Sequence, residues 1–145
     1  MEEVRGSSPR VSTNWKHRIM RSVISTICSK EKSPEQGLIP ARNRYLSERI
    51  NQVGKIALDA NLEFLILSGE YGLIGADQEI PYYDHLLKID EVDDLTDIVK
   101  KQIFELKADE IIFYAKPNAD TWVPYYSVIE NATKASGVNL NVKLI

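Results

Sequence analysis

The sequence predicts a three-layer α/β domain with a mostly parallel sheet of about four strands and flanking helices. Short β-branched apolar segments alternate with amphipathic helical patterns, which is the signature of strands joined by crossover helices. The length of 145 residues suits one domain. The apolar fraction of 43% and charged fraction of 27% are typical of a soluble globular chain. We expect a polar, mobile N-terminal arm over residues 1–21 and a single α/β domain over residues 22–145.

Composition excludes several classes of protein. No apolar run approaches the roughly 20 residues that span a bilayer, and the N-terminus lacks the apolar segment of a secretory signal, so we expect a cytoplasmic protein. A single cysteine, Cys28, rules out an intramolecular disulfide and a cysteine zinc cage. With only two histidines we expect no metal site, and no motif implies a cofactor.

Charge is distributed unevenly along the chain. Residues 1–55 contain 11 Lys and Arg against 5 Asp and Glu, whereas residues 56–145 contain 7 against 16. A basic half can meet phosphate or nucleic acid. The simpler interpretation is that the two halves attract one another or that the basic side chains are solvated.

The first half of the domain follows a strand–helix–strand pattern. Residues 22–28 are β-branched and apolar and predict a buried strand, and a loop with two prolines and a glycine follows over 29–40. Residues 41–60 show helical periodicity, and 62–67 form a second apolar run of strand length. The predicted inward face of the helix consists of Leu46, Ile50, Val53, Ala57 and Ala60.

The second half repeats the alternation after a long loop over 68–87. A helix is predicted to begin near Asp94, a strand covers 110–115, and a helix with Pro124 in its first turn ends at Gly137. Residues 138–145 alternate apolar and polar, which predicts an edge strand with one wet face. The inward face of the helix that begins near Asp94 is predicted to be Leu95, Ile98, Val99, Ile103 and Leu106.

Three loops should meet at one edge of this sheet. In parallel α/β sheets, ligands bind outside the carboxyl ends of the strands. The loops 29–40, 68–87 and 116–122 each follow a predicted strand. We therefore expect the functional site where these loops converge.

The loop after the first strand carries candidate anion ligands. Ser29, Lys30 and Lys32 leave the strand where free N–H groups and ammonium groups can hold phosphate or carboxylate. A nucleoside triphosphate or dinucleotide is disfavoured because the chain has neither a Walker motif nor the G-x-G-x-x-G spacing. Further candidates at the same edge are Arg44, Tyr45 and Lys116.

The glycine-bearing segment after the second strand has two interpretations. Gly69 and Gly72 permit a positive φ or a close approach of the backbone to another group, so Ser68, Gly69, Tyr71 and Gly72 are candidate binding residues. A tight turn is the simpler interpretation. Serine hydrolysis is disfavoured because this segment is not the G-x-S-x-G nucleophile elbow.

The aromatic segment that follows Pro81 is the richest in chemistry. Tyr82 or Tyr83 can stack on a planar base, and Asp84 can accept a hydrogen bond from a ring N–H. Asp84 and His85 form the preferred acid/base pair if the chain is an enzyme, which the sequence leaves open. The alternative is an ordered loop packed by its own aromatic rings.

Four segments together resemble a known group of proteins. They are 28–32 (CSKEK), Pro40-Ala41 with Arg44-Tyr45, 67–73 (LSGEYGL) and 80–84 (IPYYD). They resemble a group of small bacterial and phage domains that are similar to the core domain of archaeosine synthase and are loosely labelled with the peroxide-stress YaaA proteins. The resemblance covers roughly residues 22–90.

The resemblance implies a fold similar to uracil-DNA glycosylases, Rossmann-like in outline. It also implies a role with a nucleobase, deazapurines included, or with nucleic acid in a modification pathway. It transfers the location of a site, residues 29–32 and 68–84, but no catalytic role. Two alternatives stay open: a non-enzymatic stress-response or partner-binding module, and a hydrolase of a small nucleotide-like metabolite.

Overall fold

A five-stranded, mostly parallel sheet forms the centre of the computed structural model, which describes residues 20–117 and 120–145. Its strands are β1 (Ser22–Ile27), β3 (Glu63–Ser68), β4 (Gly72–Gly75), β6 (Glu110–Ala115) and β7 (Asn139–Leu144). Their spatial order is β4-β3-β1-β6-β7, and only β4 runs antiparallel to its neighbour. The predicted α/β class is confirmed, and the predicted number of about four strands is corrected to five.

Helices and short strands complete the fold. A second, two-stranded sheet pairs β2 (Ile39–Pro40) with β5 (Glu79–Ile80). The helices are α1 (Ala41–Arg44), α2 (Glu48–Ala60), α3 (Val92–Leu106) and α4 (Val123–Ser136), and 3₁₀ turns at Ile89–Glu91 and Asp120–Trp122 precede the last two. Among the described residues, no helix has the length and apolar character needed to cross a membrane.

The helices cover opposite faces of the sheet. Thr26 of β1 accepts a hydrogen bond from Arg49 of α2, so α2 lies on the face to which Thr26 points. Phe113 of β6 contacts Tyr126 of α4, and its neighbour in register on β1 is Ser25. Because successive strand residues point to opposite faces, α4 lies on the other side of the sheet from α2. The predicted three layers are confirmed.

The first predicted helix is interrupted. Tyr45 adopts an extended conformation and pairs with Lys32 in an isolated antiparallel bridge. The Ser33 N–H donates to the Arg44 carbonyl at 2.7 Å, and the Leu46 N–H donates to the Glu31 carbonyl at 2.9 Å. These long-range bonds replace helical ones, so the chain forms α1, turns, and restarts as α2 with Ser47 as its N-cap.

Several predicted inward faces are only partly inward. Ile50, Val53, Ala57, Leu95, Val99 and Ile103 are buried as predicted. Leu46 is 52% exposed because it lies in the interruption between α1 and α2, and Ala60 is exposed at the end of α2. Ile98 is also exposed. The edge position of β7 is confirmed, but its outer half is not covered, since Val142 and Leu144 are exposed.

The long predicted loop over 68–87 contains secondary structure. Its first part turns back on β3 as a hairpin, because β4 pairs with β3 from Ser68↔Gly72 to Leu65↔Gly75. Its middle part supplies β5, which anchors the segment on β2. Only its end, from residue 81 to residue 88, has no regular structure. The predicted N-terminal arm lies outside the described residues except for residues 20 and 21.

Candidate functional site

A small cleft lies at the carboxyl end of β1. Its volume is about 150 Å³, and it is bounded by the residues that follow β1, by the end of the 68–87 segment and by the residues that precede and begin α4. The predicted convergence of the three loops is therefore seen in the structure. The lining residues that carry polar or aromatic groups are Cys28, Ser29, Lys30, Lys32, Asp84, His85, Thr121, Trp122 and Tyr125.

Two ammonium groups border the cleft without a carboxylate partner in the described chain. Lys30 is exposed, and Lys32 is half-buried. The Lys32 Nζ donates to the Lys30 carbonyl at 3.3 Å and lies 4.6 Å from the centroid of the Tyr83 ring. Neither lysine forms an ion pair with a described residue. An anion entering the cleft would meet positive charge that is not already neutralised.

His85 is held between two carboxylates, and not by Asp84. Its Nδ1 lies 2.6 Å from Glu70 Oε1, and its Nε2 lies 3.0 Å from both carboxylate oxygens of Glu91. An unprotonated ring nitrogen would direct its lone pair at an anion, so both nitrogens carry protons in this arrangement. The hydrogen bonds that the ring donates to Glu91 and, as the smaller cause, to Glu70 raise the pKa of His85 above its ordinary value. The expected Asp84–His85 pair is thus not formed.

Asp84 is the carboxylate of the cleft that remains available. Its side chain is exposed, and it has no hydrogen bond or ion pair with any residue of the described ranges. A carboxylate in this state can accept hydrogen bonds from a ligand N–H or take up a proton. His85, whose two nitrogens are engaged, cannot act as a base without breaking one of its two contacts.

The aromatic residues that border the cleft are Trp122 and Tyr125, and not Tyr82 or Tyr83. Trp122 ends the 3₁₀ turn before α4 and packs at 6.0 Å against Tyr126. Sequence reasoning placed the loop 116–122 at this edge but did not single out its tryptophan. Tyr82 is 55% exposed and does not line the cleft.

Cys28 forms part of the floor of the cleft and is only 7% exposed. Its Sγ lies 4.0 Å from the Tyr125 hydroxyl, and the Gly69 N–H also donates toward it. Burial raises the pKa of the Cys28 thiol, although these hydrogen bonds and the Lys32 charge act in the opposite direction. The thiol therefore stays protonated near neutral pH. The sequence offered one signal for the position of Cys28 in the cleft, since it is the last residue of the predicted first strand.

A buried cluster of hydroxyl groups lies behind the cleft. The Tyr45 and Tyr83 hydroxyls are 2.5 Å apart, and Ser68 Oγ is 2.9 Å from the Tyr83 hydroxyl. Burial is the main cause that raises the pKa of both tyrosines. Tyr71 packs edge-on against Tyr83 at 5.3 Å. The rings of Tyr45 and Tyr83 pack against the Lys32 ammonium group, and no member of the cluster lines the cleft.

The Ser68-Gly69 segment is a turn. Ser68 Oγ accepts hydrogen bonds from the N–H groups of Glu70 and Tyr71, each at 3.1 Å, and its residue is fully buried. A Cβ on Gly69 would lie 2.8 Å from the Tyr125 hydroxyl. Gly72 has a φ of +76°. The glycines thus approach protein groups, and the interpretation of this segment as a tight turn is confirmed.

Arg44 and Lys116, two predicted anion ligands, lie away from the cleft. Arg44 is fully buried, and its guanidinium donates to four backbone carbonyls, those of Ser33, Glu35, Gly37 and Ile80. It organises the loop after β1 and does not face solvent. Lys116 borders a neighbouring cleft on the other side of Trp122.

Neither a metal-binding cluster among the described residues nor a known relative identifies the chemistry of the cleft. Within residues 20–117 and 120–145, no group of three His, Cys, Asp or Glu side chains is arranged to hold a metal ion. Searches against protein-family models, curated proteins and solved structures gave no match to this chain. The fold and the cleft define the class: an α/β domain with a small, charged cleft at the carboxyl ends of its parallel strands.

Proposed function

We propose that the cleft binds one nucleobase-containing ligand, with its phosphate at Lys30 and Lys32 and its ring beside Trp122. The observation that carries the proposal is the combination of two ammonium groups without carboxylate partners, a tryptophan ring and an available carboxylate around one cleft. Ammonium groups hold phosphate, and an indole ring stacks on a planar base. Asp84 would accept a hydrogen bond from a ring N–H.

The size of the cleft limits the ligand. Drug-sized molecules occupy pockets of roughly 300–1,000 Å³, and this cleft measures about 150 Å³. One heterocycle fits this space better than a dinucleotide does. The resemblance to the archaeosine synthase core domain supports the same ligand class, deazapurines included, and a uracil-DNA-glycosylase-like or Rossmann-like form of the fold.

If the domain also acts on the base, Asp84 is the group we assign to proton transfer. It borders the cleft and has no competing partner among the described residues, whereas His85 is engaged by Glu70 and Glu91. Ser68 is unsuited to a hydrolytic role because its hydroxyl is buried and bonded within its own turn.

The test uses the fluorescence of Trp122. The chain has two tryptophans, Trp15 and Trp122, so a Trp15→Phe protein reports on the cleft alone. We expect nucleoside 5′-monophosphates to change its emission at low salt. The double substitution Lys30→Gln/Lys32→Gln should lower the affinity for monophosphates about tenfold, equivalent to about 1.4 kcal/mol. The affinities for nucleosides and free bases, including a 7-deazapurine, should change by no more than about twofold.

The matched control removes the same charge elsewhere. Lys55→Gln/Lys101→Gln alters two exposed lysines on α2 and α3, and it should leave every affinity unchanged. Asp84→Asn should lower the affinity for ligands that present ring N–H donors. The proposal is overturned if no monophosphate, nucleoside or base binds at low salt. If the chain is instead a partner-binding module, Asp84→Asn should not change its binding to the partner.

A further inference from the structure

A second cleft lies directly beside the first and shares a wall with it. Its volume is about 680 Å³, and Thr121 and Trp122 border both clefts. Its other polar side chains come from the start of α2 and from the end of β6: Ser47, Glu48, Arg49, Gln52 and Lys116. Trp122 therefore borders both clefts at the same edge of the sheet.

Arg49 is fixed at this boundary. Its Nη1 donates to Thr26 Oγ1 and to the Ile27 carbonyl, both at 2.6 Å, and its Nη2 donates to the Cys28 carbonyl at 3.3 Å. Its guanidinium carbon lies 4.5 Å from the centroid of the Trp122 ring. All these acceptors are uncharged, and Arg49 forms no ion pair with a described residue. Within residues 20–117 and 120–145, no carboxylate neutralises its charge.

Positive charge thus lies in both of the clefts that Trp122 borders. Lys30 and Lys32 border the first cleft, and Arg49 and Lys116 border the second, where Glu48 is the one carboxylate side chain among the lining residues described. An aromatic ring flanked by cations is the arrangement that holds a base and the phosphates on either side of it in a single strand. A free mononucleotide would leave the second pair of cations without a partner.

We infer that the ligand is a short single-stranded oligonucleotide, whose chain passes Trp122 from the first cleft into the second. This inference rests on the proposed function, because the first cleft must accept the base. The phosphate of the adjoining nucleotide contacts Arg49 and Lys116. Duplex is excluded from this site because a cleft of about 150 Å³ cannot admit a paired base. The excess of acidic residues over 56–145 repels a polyanion, so only a few nucleotides of the strand contact the protein.

The experiment compares a 5′-mononucleotide, a trinucleotide of the same base and a blunt duplex, each at three salt concentrations. We expect the trinucleotide to bind at least tenfold more tightly than the mononucleotide at low salt. Lys116→Gln should weaken the trinucleotide severalfold and reduce its slope of log K against log salt concentration by about 0.7, the value for one phosphate contact to a single strand. The mononucleotide should be unaffected by this substitution. Lys101→Gln, on the outside of α3, is the matched control.

The outcomes separate the two proposals. If the mononucleotide binds but the trinucleotide binds no tighter, the inference of a second subsite is overturned and the proposed function stands. If Lys116→Gln has no greater effect than Lys101→Gln, or if duplex binds as well as the trinucleotide, the single-strand path is likewise overturned. If none of the three ligands binds, both proposals fail.

Discussion

His85 joins three parts of the chain through one ring. Glu70 belongs to the turn after β3, Glu91 belongs to the 3₁₀ turn before α3, and His85 itself lies in the segment that borders the cleft. Glu91 also accepts the Lys88 N–H at 2.9 Å. The ring therefore fixes the position of the cleft wall formed by residues 84–86.

The His85 contacts should make stability depend on pH. The folded state raises the pKa of His85 above 6.5, so the stabilisation is complete below pH 6.5 and is lost as the pH rises through the folded value. The pKa of Glu91 is lowered below 4.5, chiefly by its hydrogen bond with His85. The contribution of Glu91 to stability is therefore present above pH 4.5 and is lost on further acidification. The cluster should stabilise most between these values.

The measurement is the urea midpoint of a His17→Gln protein, in which His85 is the one remaining histidine, against the same protein with His85→Gln. We expect the advantage of His85 to be larger at pH 6 than at pH 9. Added salt should reduce it, since the side chains involved are partly exposed. An advantage that is equal at both pH values would contradict the assigned protonation.

Position in the sequence indicated which residues lie near the edge of the sheet, but not which way they face. Lys30, Lys32 and Asp84 border the cleft as their loops suggested. Arg44 and Tyr45 follow an adjacent loop but point inward, because carbonyl groups and a second tyrosine hydroxyl there satisfy them. Single-sequence patterns do not contain these long-range partners, so orientation could not be predicted.

At the scale of elements, the hairpin of β3 and β4 is the feature that the sequence pattern hid. β4 has only four residues and has glycine at both ends, and glycine is depleted in strands. The start of β4 is also bonded to Gln102 of α3, whose Oε1 accepts the Leu73 N–H at 2.7 Å and whose Nε2 donates to the Tyr71 carbonyl at 2.9 Å. A helix side chain thus anchors this edge strand.

Gly72→Ala should destabilise the domain by about 2–4 kcal/mol. Gly72 has a φ of +76°, and an added Cβ would lie 2.4 Å from Gln102 Oε1. Gln102 cannot move aside without breaking its bonds to Leu73 and Tyr71. Gly75→Ala, at the other end of β4, meets only Gln78 Cβ at 4.0 Å, so it should change stability by no more than about 0.5 kcal/mol. Urea unfolding measures both, and equal losses would contradict this account.

The long, periodic elements were predictable because their patterns are local. β1, β6, α3 and α4 lie close to their predicted bounds. The interruption of the first helix was not predictable, because it depends on bonds between Arg44 and Ser33 and between Leu46 and Glu31 across the loop after β1. The helical propensity of residues 41–60 is overridden by that pairing at Tyr45, which is extended.

Across the whole molecule, protection should fall from the centre of the sheet to its edge. β1 lies between β3 and β6, and most of its residues are buried, whereas β7 is an edge strand with exposed outer residues. In native-state hydrogen exchange, the bonded amides of β1 should exchange only through global unfolding. Those of β7 should exchange at least tenfold faster through local opening. Equal exchange free energies in both strands would show that the sheet opens as one unit.

The central place of β1 has a consequence for how the protein is made. Both of its neighbours come later in the chain: it pairs with Glu63–Ser68 and with Glu110–Ala115, and the contact between Ser22 and Glu110 spans 88 residues. At roughly 5–20 residues per second, the ribosome releases β6 roughly 4–18 s after β1. β1 can pair with Glu63–Ser68 earlier, but its other edge stays unpaired for that time, so nascent chains are most vulnerable to aggregation before residue 115 has emerged.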